Sequence, residues 1–296
     1  MQIFAPEYYQ SFQCSAAACT HSCCVGWEID VDEDTLARYD ALEGALGAEI
    51  RRGISRSADA ACFTLDAAER CPNLRADGLC RIICELGEGY LCDICREHPR
   101  FYHTAGGRLE CGVGASCEAA AALILASDSY ARLLPVCTCE GEETPSEFDV
   151  TVPRAALFAM LSDRKLPLSE RLAQIAARFA ASLPHAVRVR ETLLALEYLD
   201  EAHRALLSST YTEFPLRAGV EAECERFFAY LVYRHASPAQ GAAGFAAAVG
   251  MAMLAERLFA ALITQEGYTP VRAAVLLSEE LEYSEENTAA LLAACV

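Results

Sequence analysis

Cys14-Ser-Ala-Ala-Ala-Cys19-Thr-His-Ser-Cys23-Cys24-Val-Gly-Trp27 is the stretch that decides how the rest of this chain is read. Fourteen of the sixteen cysteines lie between Cys14 and Cys139, and the remaining half is nearly free of them. A half-chain this rich in thiols, with no mark of secretion, reads as reduced and metal-binding. The other half reads as helix. The expected architecture is mainly α: a loop-rich cysteine region over 1–140, packed on a helical bundle over 150–296.

Outward from the knot come Cys71, Cys80, Cys84, Cys92-x2-Cys95, Cys111 and Cys117. A close pair such as Cys92/Cys95 offers two ligands from one turn. Thiolate-only sites suit zinc or an iron–sulfur cluster, and spacing does not choose between them. Adjacent Cys23 and Cys24 do not easily bind one small metal together. Two sites, or one ligand beside a spectator thiol, both remain open. A zinc-stapled fold without chemistry is the plain alternative. A disulfide framework does not suit the compartment.

The 296 residues are 53% hydrophobic, enough for a substantial core. A net charge of −18 argues against nucleic acid and anionic membrane surfaces as partners. The acidic surface suits a basic target, or simply solubility. Lys165 is the only lysine, so an amine-modifying enzyme with this sequence offers almost no target of its own. Met1 to Tyr9 lack a basic segment followed by an apolar one, so no signal peptide is expected. The most apolar stretch, 241–263, is interrupted by Glu256 and Arg257, so no membrane span is expected and the chain is placed in the cytoplasm.

Asp32 predicts a helix cap, with Leu36, Tyr39, Leu42 and Leu46 at helical spacing behind it. A second helix is predicted from Glu118, and 141–147 reads as a linker. Further on, Ser169 predicts a cap for a helix ending before Pro184. Val187 to about Ser208 reads as one long helix. Glu221 to His235 carries an apolar stripe through Cys224, Phe227, Phe228, Leu231 and Val232. Ser237-Pro238 and Thr269-Pro270 both read as a cap followed by proline at the first helical position, and Ser284 as the last cap. No run of alternating strands is evident.

The ordered motifs resemble the flagellin lysine N-methylases. They are Pro6-Glu-Tyr-Tyr9, Phe12-x-Cys14-x4-Cys19-x3-Cys23-Cys24-x-Gly26-Trp27, Cys71-Pro72-x-Leu74, Gly78-Leu79-Cys80, Leu86-Gly87-Glu88-x-Tyr90-Leu91-Cys92-x2-Cys95, Pro99-Arg100 and Ser116-Cys117-Glu118. Tyr230-Leu231-Val232-Tyr233-Arg234 and Glu282-x-Ser284-x2-Asn287 are weaker echoes. Part of the cysteine block is also similar to small zinc- or iron-chelating domains.

The resemblance implies methyl transfer from S-adenosylmethionine (SAM) to lysine side chains of flagellin, with a 4Fe-4S cluster; zinc is the alternative metal. The matching cysteines are Cys14, Cys19, Cys23, Cys24, Cys71, Cys80, Cys92, Cys95 and Cys117. Cys19, Cys23, Cys92 and Cys95 are the favoured quartet. The cysteine spacing of radical-SAM enzymes is absent, and Gly112-Val113-Gly114 opens no strand–helix unit that would bind a dinucleotide.

Methyl transfer to an amine needs a neutral nucleophile and an aligned donor. Aromatic faces lower the amine pKa and hold the methylammonium product. Tyr8, Tyr9, Trp27 and Glu28 are the candidate catalytic residues. Arg100, Tyr233 and Arg234 are the candidate partners for SAM. The alternative to an enzyme is a zinc- or iron-binding structural or interaction module.

Overall fold

The computed structural model describes residues 1–57, 60–140, 147–211 and 219–296. Among these the chain order is β1 (Gln2–Pro6), α1 (Glu33–Ala41), α2 (Gly44–Arg52), β2 (Ile54–Arg56), β3 (Ala61–Phe63), α3 (Arg81–Leu86), α4 (Asp93–Glu97), β4 (Arg100–Ala105), β5 (Arg108–Val113), α5 (Glu118–Ala126) and β6 (Leu133–Thr138). Helices follow: α6 (Thr151–Leu161), α7 (Leu168–Phe179), α8 (Ala186–Ala195), α9 (Glu201–Thr210), α10 (Glu221–Leu231), α11 (Ala242–Leu262), α12 (Pro270–Glu282) and α13 (Glu285–Ala294). A π-helical turn, Val232–Ala236, continues α10. The fold is mainly α, as expected.

Two compact units form, Gln13–Arg100 and Met1–Phe12 with Phe101–Val296. This division falls elsewhere than the expected boundary near residue 140. The reason is a four-stranded sheet, β4-β5-β1-β6, that the sequence pattern did not announce. Its strand β1 runs parallel to β5, with Ile3 opposite Leu109, and antiparallel to β6, with Pro6 opposite Leu133. The first residues of the chain are therefore held by segments a hundred residues later. Strand β1 sits mid-sheet, where both of its edges are hydrogen-bonded.

The smaller unit has its own apolar cluster: Ile29, Val31, Tyr39, Ile50, Ile54, Phe63, Ile82 and Leu91 with Cys71 and Cys92. Asp32 caps α1 as predicted, accepting from Thr35 N at 2.9 Å. Leu42 and Leu46 do not extend that helix. Gly44, at φ +83°, turns the chain, and Arg51 Nη1 takes the Tyr39 and Leu42 carbonyls at 2.7 Å each.

In the larger unit α11 is the core helix. It is long and apolar enough to cross a membrane, but 83% of its apolar window is buried inside the fold. Gly250 allows the closest approach there: a Cβ would lie 2.6 Å from the Ser182 carbonyl oxygen. The caps at Thr269-Pro270 and Ser284 are as read.

Three expectations are corrected. Helix α7 starts after Pro167 rather than at a Ser169 cap, because proline presets the first turn, and it ends at Phe179. The run from Val187 breaks into α8 and α9, because the Glu280 carboxylate captures the backbone N–H groups of Leu199 and Asp200. Ser237 caps nothing: it is buried and accepts from Arg154, and α11 starts at Ala242. The expected linker at 141–147 lies, but for its last residue, outside the described residues.

Burial of Glu110 sets the stability of the larger unit. Its carboxylate, fully removed from solvent, is held by Arg154 through two bonds of 2.7 and 2.8 Å and by Arg108 at 2.8 Å. Removing one partner of such a pair strands a buried charge. Arg154→Met is expected to lower unfolding stability by about 3 kcal/mol in a denaturant titration. Although burial opposes it, the hydrogen bonds and guanidinium charges hold the Glu110 pKa at about 2, against 4.5 unperturbed; Glu282 is likewise held at about 2. A depressed carboxylate contributes stability above its unfolded pKa and loses it as pH falls through the folded one. Stability is therefore predicted to fall between about pH 4.5 and pH 2; a flat profile over that range contradicts the assignment.

Candidate functional site

The smaller unit gathers thiols by backbone pairing. Val25 bridges Arg70, and Cys71 N donates to the Cys24 carbonyl at 2.9 Å, which sets these two cysteines side by side. Leu74 bridges Cys80, which stands at the N-cap of α3. Cys92 stands at the N-cap of α4 and Cys95 lies one turn in. Asp32 locks that turn by accepting from Asp93 N at 2.9 Å while it caps α1. Tyr39 donates to the Tyr90 carbonyl at 2.6 Å and closes the nest from α1.

Cys24, Cys71, Cys80, Cys92 and Cys95 share this apolar cluster, and their charges are felt by one another. The Cys95 thiol donates to Cys92, which lowers the Cys92 pKa and raises that of Cys95. Cys24 is lowered to about 7, chiefly by the hydrogen bond from Cys23. Cys71 is pushed up to about 12 by burial, and Cys80 is raised for the same reason. Buried Asn73 Nδ2 lies beside Cys71 without a well-formed hydrogen bond.

An all-thiol set in apolar surroundings, with an amide donor beside one sulfur, fits a soft metal or an iron–sulfur cluster in its chemistry. Its arrangement is not a closed ligand set: among the described residues no three His, Cys, Asp or Glu side chains are disposed to hold an ion. Protonated thiols hydrogen-bond to one another, and metal binding must displace those protons.

Of the favoured quartet, Cys92 and Cys95 lie in the nest and Cys23 reaches it through Cys24. Cys19 donates to the His21 carbonyl at 2.9 Å, and Cys14 accepts from Ala16 N. Cys117 belongs to the larger unit, at the N-cap of α5. Trp27 is half-buried and Glu28 exposed; Glu28 bonds Cys62, whose pKa rises through burial first and this carboxylate second. Arg100 donates to the Arg96 carbonyl at 3.3 Å within the smaller unit.

The larger unit joins residues from both ends of the chain into a buried seam. Tyr8, in the turn after β1, is buried, lies within electrostatic reach of Tyr230 and Tyr233, and has its pKa raised by burial. Tyr230 OH accepts from Ala115 N at 3.0 Å and from Arg234 at 3.0 Å, and donates to Glu282 at 2.8 Å. Glu282 also meets His235 at 2.7 Å and Ser278. The Arg234 guanidinium stacks 4.9 Å from the Phe101 ring centre. Tyr233 donates to the Cys111 carbonyl at 2.8 Å, against His103 and beneath Arg154. The π-helical turn lets Tyr230, Tyr233 and Arg234 crowd one region, a distortion common at working sites. Tyr9 is half-buried and packs against two apolar clusters.

Tyr8, Tyr233 and Arg234 thus come together. Trp27, Glu28 and Arg100 belong to the other unit. Glu110, Arg154 and His235 went unnoticed in the sequence, because a lone charge in a strand or helix carries no periodic signal.

The chain is 29% identical over 126 residues to a protein named Flagellar biosynthetic protein FliU from Salmonella muenchen, covering 40% of this chain and 75% of that one. It is also 29% identical over 126 residues to proteins named Lysine-N-methylase from Salmonella typhimurium LT2 and Salmonella choleraesuis SC-B67. The chain is a relative of the lysine-N-methylases. The matched segment spans 31% of the length of each lysine-N-methylase. No family model and no solved structure matches the chain.

Exposure ranks the thiols for chemistry. Native-state alkylation with iodoacetamide is expected to mark Cys14, Cys23, Cys84 and Cys137 first and to spare Cys71, Cys92, Cys224 and Cys295. Peptide mass spectrometry checks the order; early labelling of Cys92 contradicts the nest.

Proposed function

We propose that this chain is a protein-lysine N-methyltransferase that uses SAM and acts in the cytoplasm on flagellin or a related surface protein. The relationship to the lysine-N-methylases carries this reading. The tyrosine–carboxylate seam supports it, since two of the motifs that resemble the family meet there around Tyr230 and Glu282.

SAM, when bound, supplies an electrophilic methyl group on a positively charged sulfur. The chain must hold the target amine neutral, aligned and shielded from water. Glu282, ionised well below neutral pH, is a fixed negative charge that draws an ammonium group and steadies the methylated product; it is too weak a base to take the proton. His235, bonded to Glu282 Oε1, is the nitrogen base of the seam. Tyr8, Tyr230 and Tyr233 stay neutral, because burial raises each of them, and they offer aromatic faces to a cation. Arg234 is the cationic partner for a carboxylate.

Cys24, Cys71, Cys80, Cys92 and Cys95 would supply the ligands for an iron–sulfur cluster, with zinc as the alternative. When bound, a cluster with an open iron provides a ligand site for an amino-acid end.

The deciding assay incubates anaerobically purified chain with methyl-labelled SAM and purified flagellin, followed by mass spectrometry of lysine peptides. Label on flagellin lysines is expected, with self-modification confined to Lys165. No label, together with stoichiometric zinc in a colourless protein, points to a structural module instead. Changing Cys92 and Cys95 to serine together is expected to abolish bound iron; unchanged iron removes both from the ligand set.

A further inference from the structure

The larger unit contains a cavity of about 280 Å³ lined by Arg108, Ala131, Leu133, Thr151, Arg154, Ala155 and Phe158. It adjoins the tyrosine–carboxylate seam only through Arg154, which lies over the Tyr233 ring. We propose that this cavity binds a small organic carboxylate with an apolar stem, through Arg108 and Arg154.

Charge is the first support. Arg108 and Arg154 share the single carboxylate of Glu110, which leaves one positive charge uncompensated within that cluster. His103, on the other side of Glu110 at 3.3 Å, adds none near neutral pH, because burial lowers its pKa. Asp149 is the opposing group: it precedes α6, accepting from Thr151 N at 3.0 Å and from Thr151 Oγ1 at 2.6 Å. Its Oδ1 is occupied by these two Thr151 donors.

Donor geometry is the second. Arg108 spends its Nε and Nη2 on Glu110 Oε1, at 2.8 and 2.7 Å, and its face on the Phe4 ring at 4.8 Å. Among the described residues its Nη1 donors make no hydrogen bond, and the side chain is 30% exposed at the cavity wall. Arg154 is 4% exposed and fixed by Glu110 and Ser237. One guanidinium is therefore rigid and the other has donors to give, an arrangement organised before any ligand arrives. Such a planar fork matches a carboxylate.

Shape and lining are the third. Ala131, Leu133, Ala155 and Phe158 supply apolar lining beside the two arginines. An apolar wall with a few convergent polar groups favours a short hydrocarbon stem over a bare ion. The carboxylate could belong to a free small acid or to the amino-acid end of a larger cofactor.

Isothermal titration of the full chain with sodium butyrate, methyl butyrate and inorganic phosphate tests the proposal. Butyrate is expected to bind, the uncharged ester at least tenfold more weakly, and phosphate more weakly than butyrate. Arg108→Gln is expected to weaken butyrate at least tenfold, with an unchanged circular dichroism spectrum and a cooperative, if lowered, thermal transition showing that the fold is kept. Competition by S-adenosylhomocysteine distinguishes the two sources of the carboxylate. Ester binding as tight as butyrate, measured on the unaltered chain, overturns the proposal, as does phosphate binding as tightly as butyrate. Undiminished butyrate binding by a folded Arg108→Gln chain also overturns it.

Discussion

Buried carboxylates are the constraint on which the larger unit depends. Glu110, Glu225, Glu280 and Glu282 are nearly solvent-free, and each meets a cationic or imidazole partner: Arg154 and Arg108, Arg171 and Arg164, His203, and His235 with Arg234. A buried charge without a partner would cost several kcal/mol. Each carboxylate therefore dictates where its partners' elements lie. Glu110 ties β5 to α6, Glu225 ties α10 to α7, Glu280 breaks the α8–α9 run, and Glu282 ties α12 to the π-helical turn. Glu256 is the exception. Among the described residues it has no cation within bonding distance; it lies against Cys224 in the core, and its pKa rises to about 7 through burial.

The smaller unit is held together differently. Its core is a short apolar list completed by sulfur, with Tyr39 fully buried at its centre. Cysteine contributes there as a small apolar side chain. The same packing places five thiols within electrostatic reach of one another. Five of the nine motif cysteines pack in this nest; Cys14, Cys19 and Cys23 lie outside its core and Cys117 lies in the larger unit.

Much of this was legible where the signal is local. Asp32, Thr269-Pro270 and Ser284 cap helices as read, because a cap depends on a side chain and an N–H group two or three residues apart. The sheet was not legible. Strand β1 is five residues long and pairs with segments more than a hundred positions away, so nothing near it in sequence marks it as central. The site divides the same way. Tyr8, Tyr233 and Arg234 were found by motif and meet in the fold. Glu110 and Arg154 were missed, since their meaning lies in a contact across 44 residues. Trp27 shares a motif with the thiols, Glu28 and Arg100 stand near such motifs in sequence, and all three stay in the smaller unit.

The central claim is that the seam around Tyr230 carries the chemistry and does not merely fasten α10 to α12. Tyr230→Phe separates the two roles. It keeps the ring and removes only the hydroxyl that joins Ala115 N, Arg234 and Glu282. The measurement is methyl transfer to flagellin lysines by the variant, with the unfolding midpoint followed in parallel. The account predicts a folded chain whose transfer rate falls at least tenfold. A folded variant that transfers methyl groups at the original rate would contradict it.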